Sequence, residues 1–414
     1  MKKIILPGVI YFLSLFPAFA GLFYPMLPVD DPAPHTFVFF INGDSDHFVD
    51  NTTNAESGTY RHRRVDSFEE RRIEEYAQEC RDCNVIILHD QRGTKKWYMT
   101  ARPWAVWLRV YHRGERILSR YAKEINSADP QNIAQLLNFS QTYFPAKSFH
   151  FIYRGHAFFP SYLPGENNGM IVPFDYSHKN SPFSVEIFAQ GIQMAKLRQP
   201  LTSITLASCS MSYLEVATAL APYADNLIAS QLDVLEVLQA GYDYAFLKDI
   251  RDNDSPEKLT RSIAESLLQR FEEADLSDAM FEYPISLIKL SGIASLNAEL
   301  NNLIKELPQY KMEDYPDLMA SKMLSARYVE SLRAKGKDET EIAKFAQLIK
   351  ITSPTPNQLD LKVFLQFLIQ QDLPEEIKAR AKKIINNLQI QVQLFRPSPL
   401  SQKGGLSFMW GAKI

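Results

Sequence analysis

Three cysteines and one glycine-flanked histidine carry most of the reactive chemistry in this 414-residue chain. Cys80 and Cys83 are separated by Arg81 and Asp82. Such a pair forms a local disulfide, a redox couple or part of a zinc site. The redox reading needs a thioredoxin-like setting, whereas this pair ends a predicted helix before a strand. A zinc site needs further ligands at matching spacing, and none is evident. Cys209 is left over, and an odd thiol, if the chain is exported, is an intermolecular partner or a reactive group. It follows the strand-like run SITLA at 203–207 and precedes a helical stretch. Thiol pKa falls near a helix N-terminus or a cation, and the thiolate is the nucleophile. His156 follows a similar run, SFHFIY at 148–153, beside Gly155. A Cys and a His at neighbouring strand ends are the minimum for nucleophilic acyl transfer. Taken singly, each has a plainer reading as a core thiol or a structural imidazole.

The elements around them alternate. Buried strands are predicted at 36–41 (TFVFFI), 84–88 (NVIIL), 148–153, 203–207 and 226–229, with a short one at 169–174. Helices are predicted at 67–78 after a cap at Asp66, from Asp129-Pro130 to about 144, at 184–197 and at 213–220. Residues 97–122 alternate around HRGE and predict an antiparallel hairpin, and 44–65 reads as a polar loop. Short apolar strands alternating with helices predict an α/β fold, a mostly parallel sheet with helices on both faces. Ligands in such sheets bind beyond the carboxyl ends of the strands, where His156 and Cys209 fall. The later third is predicted mainly helical, at 255–274, 291–306, 314–349 and 360–390, with last strands at 390–395 and 406–410. This divides the chain into a leader at 1–20, an extended lead-in at 21–35, a core at 36–250 and a C-terminal region at 251–414.

Bulk composition excludes some classes. Net charge is −3, so no basic surface for nucleic acid is expected, since phosphate binding needs clustered Lys and Arg. The one basic cluster, at 61–64, reads as a solvated surface loop. Lys2 and Lys3, the apolar run 4–16 and Ala18-Phe19-Ala20 form a secretory signal with a small-x-small cleavage site. The run is shorter than the roughly 20 residues of a membrane span. The expectation is an exported protein, periplasmic or extracellular, with no membrane association after cleavage.

The segment 203–230, SITLASCSMSYLEVATALAPYADNLIAS, resembles the nucleophile block of the clostripain family. In that family a strand leads into Asp-Ala-Cys-Leu-Met, then Glu-Val-Ala, Pro-Tyr-Ala-Asp and Ala-Ser. Cys209, Met211, Glu215-Val216-Ala217, Pro222-Tyr223-Ala224-Asp225 and Ala229-Ser230 fall in step without a gap. The segment 149–157, FHFIYRGHA, is similar to the strand-then-His-Gly block of caspase-like peptidases. Further likeness at 41–46, 129–145, 283–307 and 405–408 extends it over nearly all the mature chain. The resemblance implies a caspase-like fold and a bacterial cysteine endopeptidase acting on peptides or proteins. Cys209 would be the nucleophile and His156 the acid and base, with the backbone N–H groups at Ala157 and Cys209 holding the oxyanion. No metal takes part in the chemistry, though some members are stimulated by calcium.

Two departures bear on this. The family places Asp two residues before the nucleophile, to hold a basic P1 side chain, where this chain has Ala207. The acidic pair after Ala-Ser is here Gln231-Leu232. A preference for Arg or Lys depends on such carboxylates, so a different P1 preference is expected unless Asp233 or Glu236 substitutes. The second departure is Ala157 in place of Gly after the histidine. Three readings stand open: a peptidase of altered preference, an inactive caspase-like protein that binds a peptide or partner, and a peptide ligase or transamidase on the same dyad.

Overall fold

A computed structural model of the chain describes residues 22–43, 49–53, 60–91, 105–155, 171–175, 181–209, 211–231, 242–273, 283–307, 358–396 and 405–409. The predicted leader at 1–20 and helix at 314–349 lie outside the described residues. In chain order the first half contains β1 (His35–Asn42), β2 (Val49–Thr53), β3 (Tyr60–Arg64), α1 (Val65–Glu79), β4 (Cys83–Gln91), β5 (Ala105–His112), β6 (Glu115–Ala122), α2 (Pro130–Tyr143) and β7 (Ser148–Arg154). Next come β8 (Ile171–Asp175), β9 (Ser181–Ser184), α3 (Val185–Met194), β10 (Leu201–Ala207), α4 (Leu214–Leu220) and β11 (Ala224–Ser230). After a 3₁₀ turn at Ala245–Asp249 follow α5 (Pro256–Glu273), β12 (Tyr283–Lys289), α6 (Ile293–Glu306) and β13 (Gln358–Asp360). The chain ends with α7 (Leu361–Gln370), α8 (Glu375–Gln391), β14 (Val392–Arg396) and β15 (Ser407–Met409).

Nine strands form one sheet in the order β14-β12-β11-β10-β7-β1-β4-β5-β6. The central run from β11 to β4 is parallel, and each edge is finished by antiparallel strands. Side chains alternate between the faces. Phe37, Phe39 and Ile41 of β1 pack with α1, α5 and the 3₁₀ turn on one face. Val38 and Phe40 pack on the other, under α2, α3, α4, α6, α7 and α8. Burial on both faces explains why the central strands read as nearly continuous apolar runs.

Local signals held at several boundaries. Asp129 caps α2 by accepting from the Gln131 N–H at 2.9 Å, with Pro130 at the first helical position. Arg113 and Gly114 make the two-residue turn of the β5–β6 hairpin, with φ of 48° and 86°, as a type I′ turn requires. Cys80 and Cys83 are joined in a disulfide between α1 and β4.

The polar loop expected at 44–65 instead contains the β2–β3 hairpin, and the basic cluster at 61–64 lies in β3. Backbone pairing needs no apolar pattern, so polar strands escape a search for one. Helix α1 begins at Val65, so Asp66 lies inside its first turn rather than capping it. The strand expected at 169–174 is β8, which pairs with β9 outside the main sheet. The single helix expected over 360–390 is two, because Pro374 cannot continue a helix interior and stands as the N-cap of α8. β12 was not expected as a strand, yet it extends the main sheet beside β11.

Candidate active site

Strands β7 and β10 are parallel neighbours, with Arg154 opposite Ala207. The two chains leave the sheet in the same row and are tied just beyond it: the buried Ser208 hydroxyl donates to the Gly155 carbonyl at 2.8 Å. Two residues past Ala207 stands Cys209, half-buried and outside any disulfide. Two residues past Arg154 in the sequence is His156, which lies outside the described residues, as do Ala157, Asp233 and Glu236.

Cys209 is not next to a helix N-terminus. Four residues separate it from α4, which has only seven, so a helix dipole, confined to the first turn, is not a lever on its thiol. The nearby charges come from elsewhere. Arg154 Nε pairs with both oxygens of Glu69 on α1, at 3.1 and 2.9 Å. Its Nη1 donates to the Ala207 carbonyl at 3.2 Å and to the Gly155 carbonyl at 3.4 Å. Glu69 also accepts from the Tyr242 N–H at 2.7 Å, and the guanidinium lies 5.0 Å from the centre of the Tyr242 ring. Burial works against the Arg154 charge, but Glu69, Tyr242 and Tyr244 outweigh it and hold its pKa above the ordinary range. Tyr242 is shifted up, first by burial; Arg154 opposes this, and the Cys209 and Glu69 charges add to it. Tyr242 therefore stays a neutral phenol. Next to Glu69, Glu70 serves different strands, binding His89 of β4 at 2.9 Å and Arg109 of β5.

Ala207 is 1 % exposed and packs in the core on the α1 and α5 face. Gln231 is also 1 % exposed. Its amide donates to Asp360 at 2.5 Å and to the Ser407 hydroxyl at 3.0 Å, so it fastens β11 to the C-terminal region. His150, deeper on β7, bonds Ser203 at 2.8 Å and stacks on Phe37. Burial lowers its pKa to about 3, so it is a neutral core histidine. Among the described residues, no group of three or more His, Cys, Asp or Glu is arranged to hold a metal ion.

Arg154 and Glu69 were missed in the sequence. The signal for Arg154 is a charge ending an otherwise uncharged, strand-like run, SFHFIY. Glu69 stands in a stripe with Ile73 and Ala77, at i, i+4 and i+8, and all three are buried. A carboxylate on the buried stripe of a helix needs a partner.

The chain matches the sequence profile of the clostripain family of peptidases over residues 63–383. No curated protein sequence matches it. Among solved structures, a secreted C11 cysteine protease from Bacteroides thetaiotaomicron, "iotapain", superposes with a TM-score of 0.57. It is 16 % identical, over 92 % of this chain and 94 % of that one. A secreted C11 cysteine protease of the same organism, in complex with an irreversible peptide inhibitor, gives 0.58 at 14 % identity, with the same coverage. An inactive zymogen C11 protease from Parabacteroides distasonis gives 0.51 at 17 % identity, over 93 % and 94 %. These likenesses speak for a shared fold, and the profile match over most of the chain speaks for the family. The chain belongs to the clostripain family and is a cysteine peptidase.

Proposed function

We propose that Cys209 and His156 form the thiol–imidazole dyad of an exported endopeptidase. The observation that carries this reading is the register of β7 and β10. Arg154 faces Ala207, and the Ser208–Gly155 hydrogen bond ties the chains one residue further on, immediately before the two dyad residues. His156 takes the thiol proton, and the Cys209 thiolate adds to the scissile carbonyl. Backbone N–H groups at Ala157 and Cys209 stabilise the oxyanion. The C–N bond then breaks as imidazolium protonates the leaving amine. Water, deprotonated by His156, cleaves the thioester and regenerates the thiol.

The P1 preference in this reading is not for Arg or Lys. No carboxylate stands at position 207, and the amide of Gln231 is engaged with Asp360 and Ser407. The predicted leader supports export, in keeping with the description of the Bacteroides thetaiotaomicron proteins as secreted. No described helix is long and apolar enough to cross a membrane.

The test is an alkylating peptide probe together with a peptide library read by mass spectrometry. Wild type should label at Cys209, and the Cys209→Ala and His156→Ala variants should lose cleavage. Cleavage after non-basic residues is expected. Labelling no higher than in Cys209→Ala would remove the dyad, and cleavage confined to Arg and Lys would remove the altered preference.

A further inference from the structure

We propose that Arg154, held by Glu69, is a positioning residue for the nucleophile: its guanidinium fixes the carbonyls of Gly155 and Ala207, one residue before His156 and two before Cys209. The inference rests on the reading of those two residues as the dyad.

The strand ends create a problem that Arg154 solves. Carbonyls at the last rung of a parallel ladder have no further strand partner, and a buried carbonyl must find a donor. At the ends of β7 and β10 these are the carbonyls of Gly155 and Ala207. Both accept from Arg154 Nη1, at 3.4 and 3.2 Å. The Gly155 carbonyl is also gripped by the Ser208 hydroxyl at 2.8 Å. The two chain exits are thus joined through one carbonyl and one guanidinium, a single residue short of His156 and two short of Cys209.

The clamp is itself clamped. Glu69 is fully buried and holds Arg154 by both carboxylate oxygens. One of those oxygens accepts from the Tyr242 N–H, and the Tyr242 ring lies against the guanidinium. A planar fork with five donors suits several fixed acceptors at once, which a lysine ammonium does not reproduce. The paired carboxylate balances the guanidinium charge, so the effect on the thiol comes chiefly from geometry. Geometry carries weight here because a misplacement of about 1 Å at a reacting group costs on the order of a hundredfold in rate.

The experiment measures the rate of Cys209 alkylation by iodoacetamide from pH 5 to 10, with folding followed by circular dichroism. Cys80 and Cys83 are joined, so Cys209 is the thiol that reports. Arg154→Met should label at least about tenfold more slowly at pH 6, and its profile should move toward that of an ordinary thiol near pH 8.5. Arg154→Lys keeps a cation for Glu69 but loses the fork, so it should fold and still label slowly. Ser208→Ala leaves the ion pair intact and removes one grip on the Gly155 carbonyl. It should slow labelling several-fold, and it carries the test if the Arg154 variants do not fold. Folded variants with the wild-type rate and pH profile would overturn the positioning role. A wild-type Cys209 that does not label at all would instead overturn the dyad reading beneath it.

Discussion

On the approach to Cys209, Arg154 of β7, paired with Glu69 of α1, holds the end of β10 by a hydrogen bond to Ala207. On the exit, Ser212 is held by neutral bonds. Its N–H donates to Ser230 at 2.7 Å, its hydroxyl to Gly405 at 2.6 Å, and its carbonyl accepts from Ser407 at 3.0 Å. The first clamp joins strands that are neighbours in the sheet, whereas the second reaches across 193 residues to the C-terminal segment. A charged buried clamp is rigid and intolerant, because removing one partner strands the other charge. A neutral clamp of several bonds loosens by degrees, about 1 kcal/mol at a time. Cys209 therefore sits between a fixed side and a graded side.

The largest test of that contrast is Glu69→Leu. It leaves Arg154 buried and unpaired, and should cost about 3–5 kcal/mol in urea unfolding. The double variant Glu69→Leu with Arg154→Met removes both charges and should recover at least half of that loss. If the two singles simply add in the double, the pair is not the coupled unit described here.

A second test uses pH. Arg154 stays charged across the working range, so the clamp gives no titration of its own through the guanidinium. His150, on the same two strands, is the opposite case. Its pKa is about 3 in the fold against 6.5 for an ordinary histidine. The unfolded chain therefore binds a proton that the fold refuses between those values, and stability is lost as pH falls below 6.5. The loss from this residue is about 2 kcal/mol between pH 6.5 and 5. His35, lowered by burial as well, adds in the same direction. His150→Gln should flatten the acid limb of a stability–pH curve, and an unchanged slope would place the titration elsewhere.

The same contrast bears on what the sequence could reveal. The central strands, β10 before Cys209 among them, were legible because burial on both faces writes a continuous apolar run, as in TFVFFI and SITLA. The Asp129-Pro130 start of α2 was legible because capping is local. The charged clamp was not, since its partners lie 85 residues apart and each reads as an ordinary surface charge. The exit clamp was less legible still. Ser212, Gly405 and Ser407 are small residues in ordinary settings, and only the fold brings them together. β12 was missed because YPISLIK carries a proline and mixes alternation with helical spacing. Position 207 shows what the sequence could not: the Ala207 methyl is packed in the core, and its carbonyl accepts from Arg154.

The smallest effect should come from Ser212→Ala. The Gly405 carbonyl accepts from two hydroxyls, those of Ser212 and Ser286, each at 2.6 Å. Deleting one donor leaves the acceptor served, so the cost should be near 1 kcal/mol in urea unfolding. Deleting both orphans a buried carbonyl beside Phe395, where Gly405 has a φ of 79° and no room for a side chain. The double variant Ser212→Ala with Ser286→Ala should therefore cost about 1–3 kcal/mol more than the sum of the singles. Simple additivity would mean that each hydroxyl acts independently. The Gly405 carbonyl would then not be a shared anchor, and the exit would be held by separate bonds that do not back one another up.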